Sequence, residues 1–279
     1  MLQNKCMLHV LMAGHHRRLP LTKNVFLCTS KLDELDKTIR VGAVSYLNTK
    51  PLLYGLKHGV EMDNIDLVEG YPAKIAEMLL HDTIDVGLVP VAILPLMKEY
   101  HIVTDYCIGA NGPVGSVCLF SEVPLHKIET VLMDYQSRTS VALAKILLRE
   151  YWNITPVAID ATEDFRQQIK GTTAAVVIGD RAFEQRTISP YMYDLAEAWK
   201  DFTGLPFVFA AWVANKKLPT DFIERFNAAN AYGITNMDAV VAAQPYSLYD
   251  LGQYFEKNIS YHFTPDKRVG LKRFLSYLR

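Results

Sequence analysis

Paired cysteines, nucleotide-binding loops and long apolar runs are all missing from this sequence, and each absence removes a class of function. The four cysteines, Cys6, Cys28, Cys107 and Cys118, form no C-x-x-C pair and no zinc spacing with the eight histidines. A metal knuckle and a disulfide framework are therefore not indicated, and the expected setting is a reducing cytoplasm. The chain has no G-x-G-x-x-G, no G-x-x-x-x-G-K-[ST], no G-x-S-x-G and no H-E-x-x-H, so dinucleotide, P-loop, serine-hydrolase and zincin chemistry lose their signatures. No stretch reaches the roughly 18 uninterrupted apolar residues of a membrane helix. An excess of one charge is missing too, with 29 basic against 30 acidic residues. Nucleic acid is not an expected partner, and an anionic ligand has to be held by local geometry.

What is present is a chain of 279 residues, half of them apolar, long enough for one large domain or two lobes. Residues 1–37 carry mixed charge and no sustained period. Lys5 before MLHVLMAG gives only a weak secretory pattern, and the following HHRRLP is a poor cleavage region. The stretch is expected to be a disordered leader or an overcalled start, with the folded protein beginning near Thr38.

From Thr38 short Val/Ile-rich runs alternate with amphipathic stretches. Strands are expected at 39–45, 84–89, 114–120, 129–134, 174–179 and 207–213, and helices at 50–58, 72–81, 139–151, 162–170, 219–243, 246–257 and 265–278. That alternation predicts an α/β fold with parallel sheets covered on both faces. Setting residue i beside residue i+90 aligns IRVGAVSYLNTKPLLYGL (39–56) with ETVLMDYQSRTSVALAKI (129–146), and LLHDTIDVGLVP (79–90) with QIKGTTAAVVIGD (168–180). Chance likeness of generic strand–helix units competes with a true repeat; both suggest two similar lobes in tandem. CIGANGPVGSVCLFS (107–121), rich in glycine, is the expected crossing between them. The boundaries predicted are 38–112 with 215–279 for lobe 1 and 113–214 for lobe 2, the helical tail packing back on lobe 1.

In parallel α/β sheets ligands bind beyond the carboxyl ends of strands, where loops lead into helix N-termini. SYLNT (45–49) and DYQSRTS (134–140) are two such tips. Helix N-termini favour anions by about 0.3–1 kcal/mol when exposed, while Ser, Thr and Asn there also cap helices with no ligand at all. TGLP (203–206) reads first as a turn. Asp85 and Asp180 lie in or beside buried strands, where a carboxylate needs a partner. A loop N–H or a catalytic acid–base role are the two options for Asp180. The histidines are scattered singly and read as solvated surface groups.

VGAVSYLNTKPL, DVGLVPVAILP, VGSVCLFSEVPL, LMDYQSRTSVALAKILL, VVIGDRAF and YDLAEAWKDFTGLPFVFAAWVAN, in that order from about Thr38 to the C-terminus, together resemble the chorismate dehydratase family of the futalosine route to menaquinone. The resemblance implies a two-lobed fold like the type II periplasmic binding proteins, with the ligand cleft between lobes. It also implies loss of water from chorismate to give 3-[(1-carboxyvinyl)oxy]benzoate, with no metal and no organic cofactor. By that similarity Asn48 is the expected catalytic residue. Ser137, Arg138, Thr139 and Ser140 are candidates for one substrate carboxylate, and Ser45, Ser116, Thr203 and Gly204 for the remaining groups. Two alternatives share the fold: the 1,4-dihydroxy-6-naphthoate synthase of the same pathway, and a non-catalytic binding protein for a small organic anion. The sequence assigns no oligomeric state.

Overall fold

A computed structural model describes residues 38–278 apart from 60 and 63, so the expected leader, 1–37, lies outside the described residues. Two mixed sheets with helices on their faces make up this part of the chain. In the first sheet β1 (Ile39–Val44) lies between β2 (Ile65–Gly70) and β3 (Val86–Pro90), parallel to both. β10 (Phe207–Ala214) runs antiparallel to β3, β4 (His101–Ala110) antiparallel to β10, and β11 (Ser260–His262) closes that edge.

The second sheet repeats the plan. β6 (Thr130–Met133) lies between β7 (Val157–Asp160) and β8 (Thr173–Ile178), parallel to both, while β5 (Val117–Ser121) runs antiparallel to β8 and β9 (Tyr191–Asp194) antiparallel to β5. β1 and β6 hold the same place, as do β3 and β8, and these are the pairs that the 90-residue offset aligns.

The expectation of purely parallel sheets is corrected by this topology. β5 and β10 each enter a sheet straight after the chain has crossed from the other lobe, and each enters antiparallel. Because β10 belongs to the first sheet, the return crossing falls near residues 204–206 and not at the expected boundary of 214. The outward crossing follows β4, and Gly115 there takes φ +75°, its N–H donating to buried Asp194 at 2.6 Å. A side chain would be strained at that φ.

Helices α1 (Lys50–His58), α2 (Pro72–Leu80), α3 (Thr139–Glu150) and α8 (Pro265–Ser276) form where the apolar period predicts them. α4 (Asp180–Arg186) and α5 (Leu195–Thr203) were not expected. The helix expected over 162–170 is only a 3-10 turn, Arg166–Gln168, since Phe165 and Ile169 alone there are buried and Asp164 pairs locally with Arg166. The long helix expected over 219–243 breaks into α6 (Thr220–Thr235) and α7 (Met237–Ala242) at Asn236, whose side-chain amide donates to the Tyr232 carbonyl and competes with the helix ladder. Residues 246–257 hold a short helical turn running into a π turn, Tyr254–Asn258.

Most of the central strands are buried on both faces, which explains their continuous apolar runs; FVFAAWVA in β10 is buried throughout. Asp85, 4% exposed, stands directly before β3 and is matched by Arg40 at 2.8 Å and Lys216 at 2.6 Å. Burial pushes its carboxyl up, but the hydrogen bonds from Arg40 and Lys216 outweigh this and hold it well below the usual carboxylate range. A carboxyl lowered on folding stabilises above its unfolded value of about 4 and loses that contribution as pH falls. Urea unfolding from neutral pH to about pH 3 is expected to show an acid limb that flattens in Asp85→Asn. An unchanged limb would remove Asp85 from the account.

Candidate active site

The carboxyl ends of β1, β2, β3, β6 and β8 converge on one cavity between the two sheets. Asn48, Thr49 and Tyr46 enter it from the turn after β1, Pro72 from the start of α2 and Pro90 from the end of β3. Ser137, Thr139 and Ser140 come from the start of α3, and Gly179 from the turn into α4. Val44, Ile108, Val117, Ile178 and Phe209 supply apolar walls. None of the lining side chains carries a charge. Polarity comes from hydroxyls, one amide and helix N-termini, a combination suited to an anion bearing an apolar ring.

Each polar group is fixed by a neighbour. The Asn48 amide oxygen accepts from the Thr49 hydroxyl at 3.1 Å, and its backbone carbonyl accepts from the Tyr261 hydroxyl at 2.9 Å. Buried Tyr254, its phenol pushed up by desolvation, also reaches the Asn48 side chain. Since Tyr254 gives its own proton to Ser116, its contact with Asn48 takes one N–H of the Asn48 NH₂, which has a second to offer the cavity. Ser137 Oγ accepts the Ser140 N–H at 3.0 Å, so it caps α3 while keeping its own proton to donate. Thr139 Oγ1 accepts the Ala92 N–H at 3.1 Å in the same way.

Several contacts hold the lobes together around the cavity. Tyr46 donates its hydroxyl to Gln136 Oε1, joining two residues 90 positions apart, at equivalent places on the two strand tips. The Ala73 N–H donates to the Gln136 carbonyl at 3.3 Å, and the Leu47 N–H to Asp180 Oδ1 at 3.1 Å. Burial raises the Asp180 carboxyl above its ordinary value, opposed by the Leu47 N–H. Asp180 is thus the partner of a loop N–H, one of its two expected roles. The cavity is narrow, about 50 Å³, space for a few waters and not for a ring acid, so a ring acid gains access only when the lobes part.

Tyr46 lies flat on Gly179, where φ is +64° and an added Cβ would come within 2.9 Å of the ring. Gly179→Ala is expected to lower stability by about 1–2 kcal/mol through backbone strain and to raise KM by loosening this contact. Denaturant unfolding and steady-state kinetics check both, and a variant with wild-type KM would show that Tyr46 does not need this seat.

Of the predicted site residues, Asn48, Ser137, Thr139 and Ser140 line one cavity. Ser116 does not line it: fully buried, it accepts a hydrogen bond from Tyr254 at 2.7 Å and supports Asn48 through that tyrosine. Ser45 is exposed at the end of β1, and Arg138 is exposed at the start of α3 with its side chain outside the lining. Thr203 Oγ1 donates to the Trp199 carbonyl and accepts the Leu205 N–H, and Gly204 takes the left-handed C-cap of α5 at φ +73°. This pair builds the return crossing and lies outside the lining, because the helix end has its own carbonyls to satisfy. Tyr254 and Tyr261 were missed; they reach the site from the C-terminal tail, and no local pattern marks them. Among the described residues no three metal-ligating side chains cluster, and no helix is long and apolar enough to cross a membrane.

Comparison with known proteins adds a family. The family model described as "Menaquinone biosynthesis" matches residues 39–279. The chorismate dehydratase of Thermus thermophilus is 26% identical over 261 residues, covering 85% of this chain and 94% of the relative. A crystal structure of an Archaeoglobus fulgidus protein superposes with a TM-score of 0.70 at 14% identity, covering 86% of this chain and 96% of that one. A Candida albicans protein, whose structure is described as showing the generic periplasmic binding protein fold, gives 0.56 at 13% identity, covering 86% and 90%. At these identities the structures establish the fold, which is of the periplasmic-binding-protein type.

Proposed function

The chain belongs to the menaquinone-biosynthesis family, and from that membership we propose that it is a chorismate dehydratase, forming 3-[(1-carboxyvinyl)oxy]benzoate and water on the futalosine route. The observation that carries the proposal is the meeting of Asn48 with Ser137, Thr139 and Ser140 in one uncharged cavity between two lobes. Sequence likeness to a chorismate dehydratase over most of both chains supports it.

The chemistry asks little of an acid–base pair. The ring carboxylate, acting through the diene, acidifies the proton on the ring carbon bearing the enolpyruvyl ether. That C–H bond and the neighbouring C–OH bond break, the ring becomes aromatic, and proton and hydroxide leave as water. The protein orients a dianion and stabilises charge that spreads into the ring carboxylate, for which preorganised hydroxyls, an amide and helix N-termini are suited. We assign Asn48 the task of holding the enolpyruvyl arm, with that arm's own carboxylate as base. Ser137, Thr139 and Ser140 bind the other carboxylate. Asp180, engaged by the Leu47 N–H beside the cavity, is the competing base; it predicts a pH–rate limb that disappears in Asp180→Asn.

The proposed reaction needs no cofactor and takes place in the cytoplasm. Purified protein incubated with chorismate is expected to yield the aromatic product, identified by mass as the loss of one water, before and after dialysis against a chelator. Binding of chorismate without turnover would leave a solute-binding protein, and activity lost on dialysis would contradict the cofactor-free reaction.

A further inference from the structure

The cavity lining carries no charge, yet the proposed substrate carries two negative ones. An unused cationic group lies directly behind the lining. Arg181, the residue after Asp180 at the start of α4, donates NH2 to both carboxylate oxygens of Asp134, at 2.8 and 2.7 Å. Asp134 is 1% exposed and is completed by the backbone N–H groups of Gln136 and Ile178. The other two nitrogens of the same guanidinium are different. Nε and NH1 are buried and have no hydrogen-bond partner among the described residues.

A buried donor left unpaired is costly, and native structures keep few of them. Here two belong to one group, the Nε–H on the side of NH2 and the NH1 amine on the side of Cδ, and each can give a single charge-assisted hydrogen bond to a carboxylate. What covers these donors belongs to the site. The Tyr46 hydroxyl lies within reach of the guanidinium, its ring lining the cavity and resting on Gly179. The Tyr135 ring flanks the guanidinium from its own lobe, 5.6 Å from centroid to carbon. Tyr46 comes from the first lobe and Arg181 from the second, so parting of the lobes, which access by a ring acid requires, also withdraws the cover.

We propose that an unpaired N–H of Arg181 donates to a carboxylate of the substrate, with Asp134 fixing the plane of the guanidinium and Tyr46 yielding the space. This rests on the chorismate reading above, and it gives Arg181 the part that the sequence suggested for Arg138.

The simpler role for Arg181 is to neutralise buried Asp134, and the test has to separate the two. Arg181→Gln, Arg181→Lys and the double variant Asp134→Asn/Arg181→Gln are compared by steady-state kinetics with chorismate and by calorimetric binding of 3-[(1-carboxyvinyl)oxy]benzoate. Circular dichroism reports folding. Arg181→Gln is expected to raise KM and product Kd by about 10–100-fold with a smaller change in kcat, as for a lost charged hydrogen bond. Arg181→Lys recovers only part, since an ammonium on a shorter stem cannot hold Asp134 and present a second donor in a fixed plane. The double variant, with no buried charge left unmatched, is folded and still binds weakly, and it carries the test if Arg181→Gln alone fails to fold.

A double variant that binds as tightly as wild type assigns Arg181 to Asp134 alone and overturns the inference. So does a folded Arg181→Gln with unchanged KM. Wild-type protein that neither consumes chorismate nor binds the product refutes the functional proposal itself, and the inference falls with it.

Discussion

Replacing Asn48 with alanine is expected to lower kcat by about 10²–10³-fold while chorismate affinity stays within about tenfold of wild type. The split follows from geometry. Affinity for a dianion is spread over the hydroxyls and N–H groups of α3 and the strand tips, so one amide contributes little to ground-state binding. Turnover depends on whether the enolpyruvyl arm sits where its carboxylate meets the ring proton, and that is a question of orientation. Asn48 is held for this task from three sides, by Thr49, Tyr254 and the Tyr261 bond to its own carbonyl. Steady-state kinetics with product binding measured separately distinguish the cases. Unimpaired turnover in Asn48→Ala would remove Asn48 from the chemistry, and a loss confined to KM would make it a binding residue only.

Gly55→Ala is expected to cost about 3 kcal/mol or more, at the upper end of what overpacking does. Gly55 in α1 and Gly233 in α6 let the two helices approach until backbone meets backbone. A Cβ on Gly55 would lie 1.6 Å from the Ala229 carbonyl oxygen, and one on Gly233 would lie 1.7 Å from that of Pro51. Neither carbonyl can move without shifting a helix. Since α1 starts directly after Asn48 and Thr49, the displacement reaches the site, and kcat is expected to fall with stability. Gly252→Ala, whose Cβ would meet only the Asp250 side chain at 3.3 Å, serves as the near-neutral control. Equal urea midpoints for the Gly55 and Gly252 variants would show that the helices do not pack this closely.

The residues that a short window can display were legible. VGAVSYLNT announces a buried strand breaking into hydroxyls and an amide, and the 90-residue offset pointed to its counterpart in the other lobe. That offset also links Tyr46 to Gln136, the pair that meets across the cleft. Sheet direction was less legible, because whether β10 enters parallel or antiparallel depends on the path of the chain before it, while its all-apolar sequence reports only burial. β4 was overlooked since Thr104 and Asp105 interrupt its apolar run. The site was legible from within each tip and opaque beyond it. Arg138 was a candidate because it sits amid hydroxyls in sequence, but a helix start turns successive residues to different sides, and Arg138 is exposed. Arg181 earned no notice because its partner Asp134 lies 47 positions away.

A crystal structure of the protein with 3-[(1-carboxyvinyl)oxy]benzoate tests the central claim most directly. The account predicts the ring between the lobes, one carboxylate against Ser137, Thr139 and Ser140 or an uncovered N–H of Arg181, and the enolpyruvyl arm at Asn48. The product seated outside the cleft, for example in the charged groove of Arg166 and Lys170 on the second lobe, with Asn48 untouched, would contradict it.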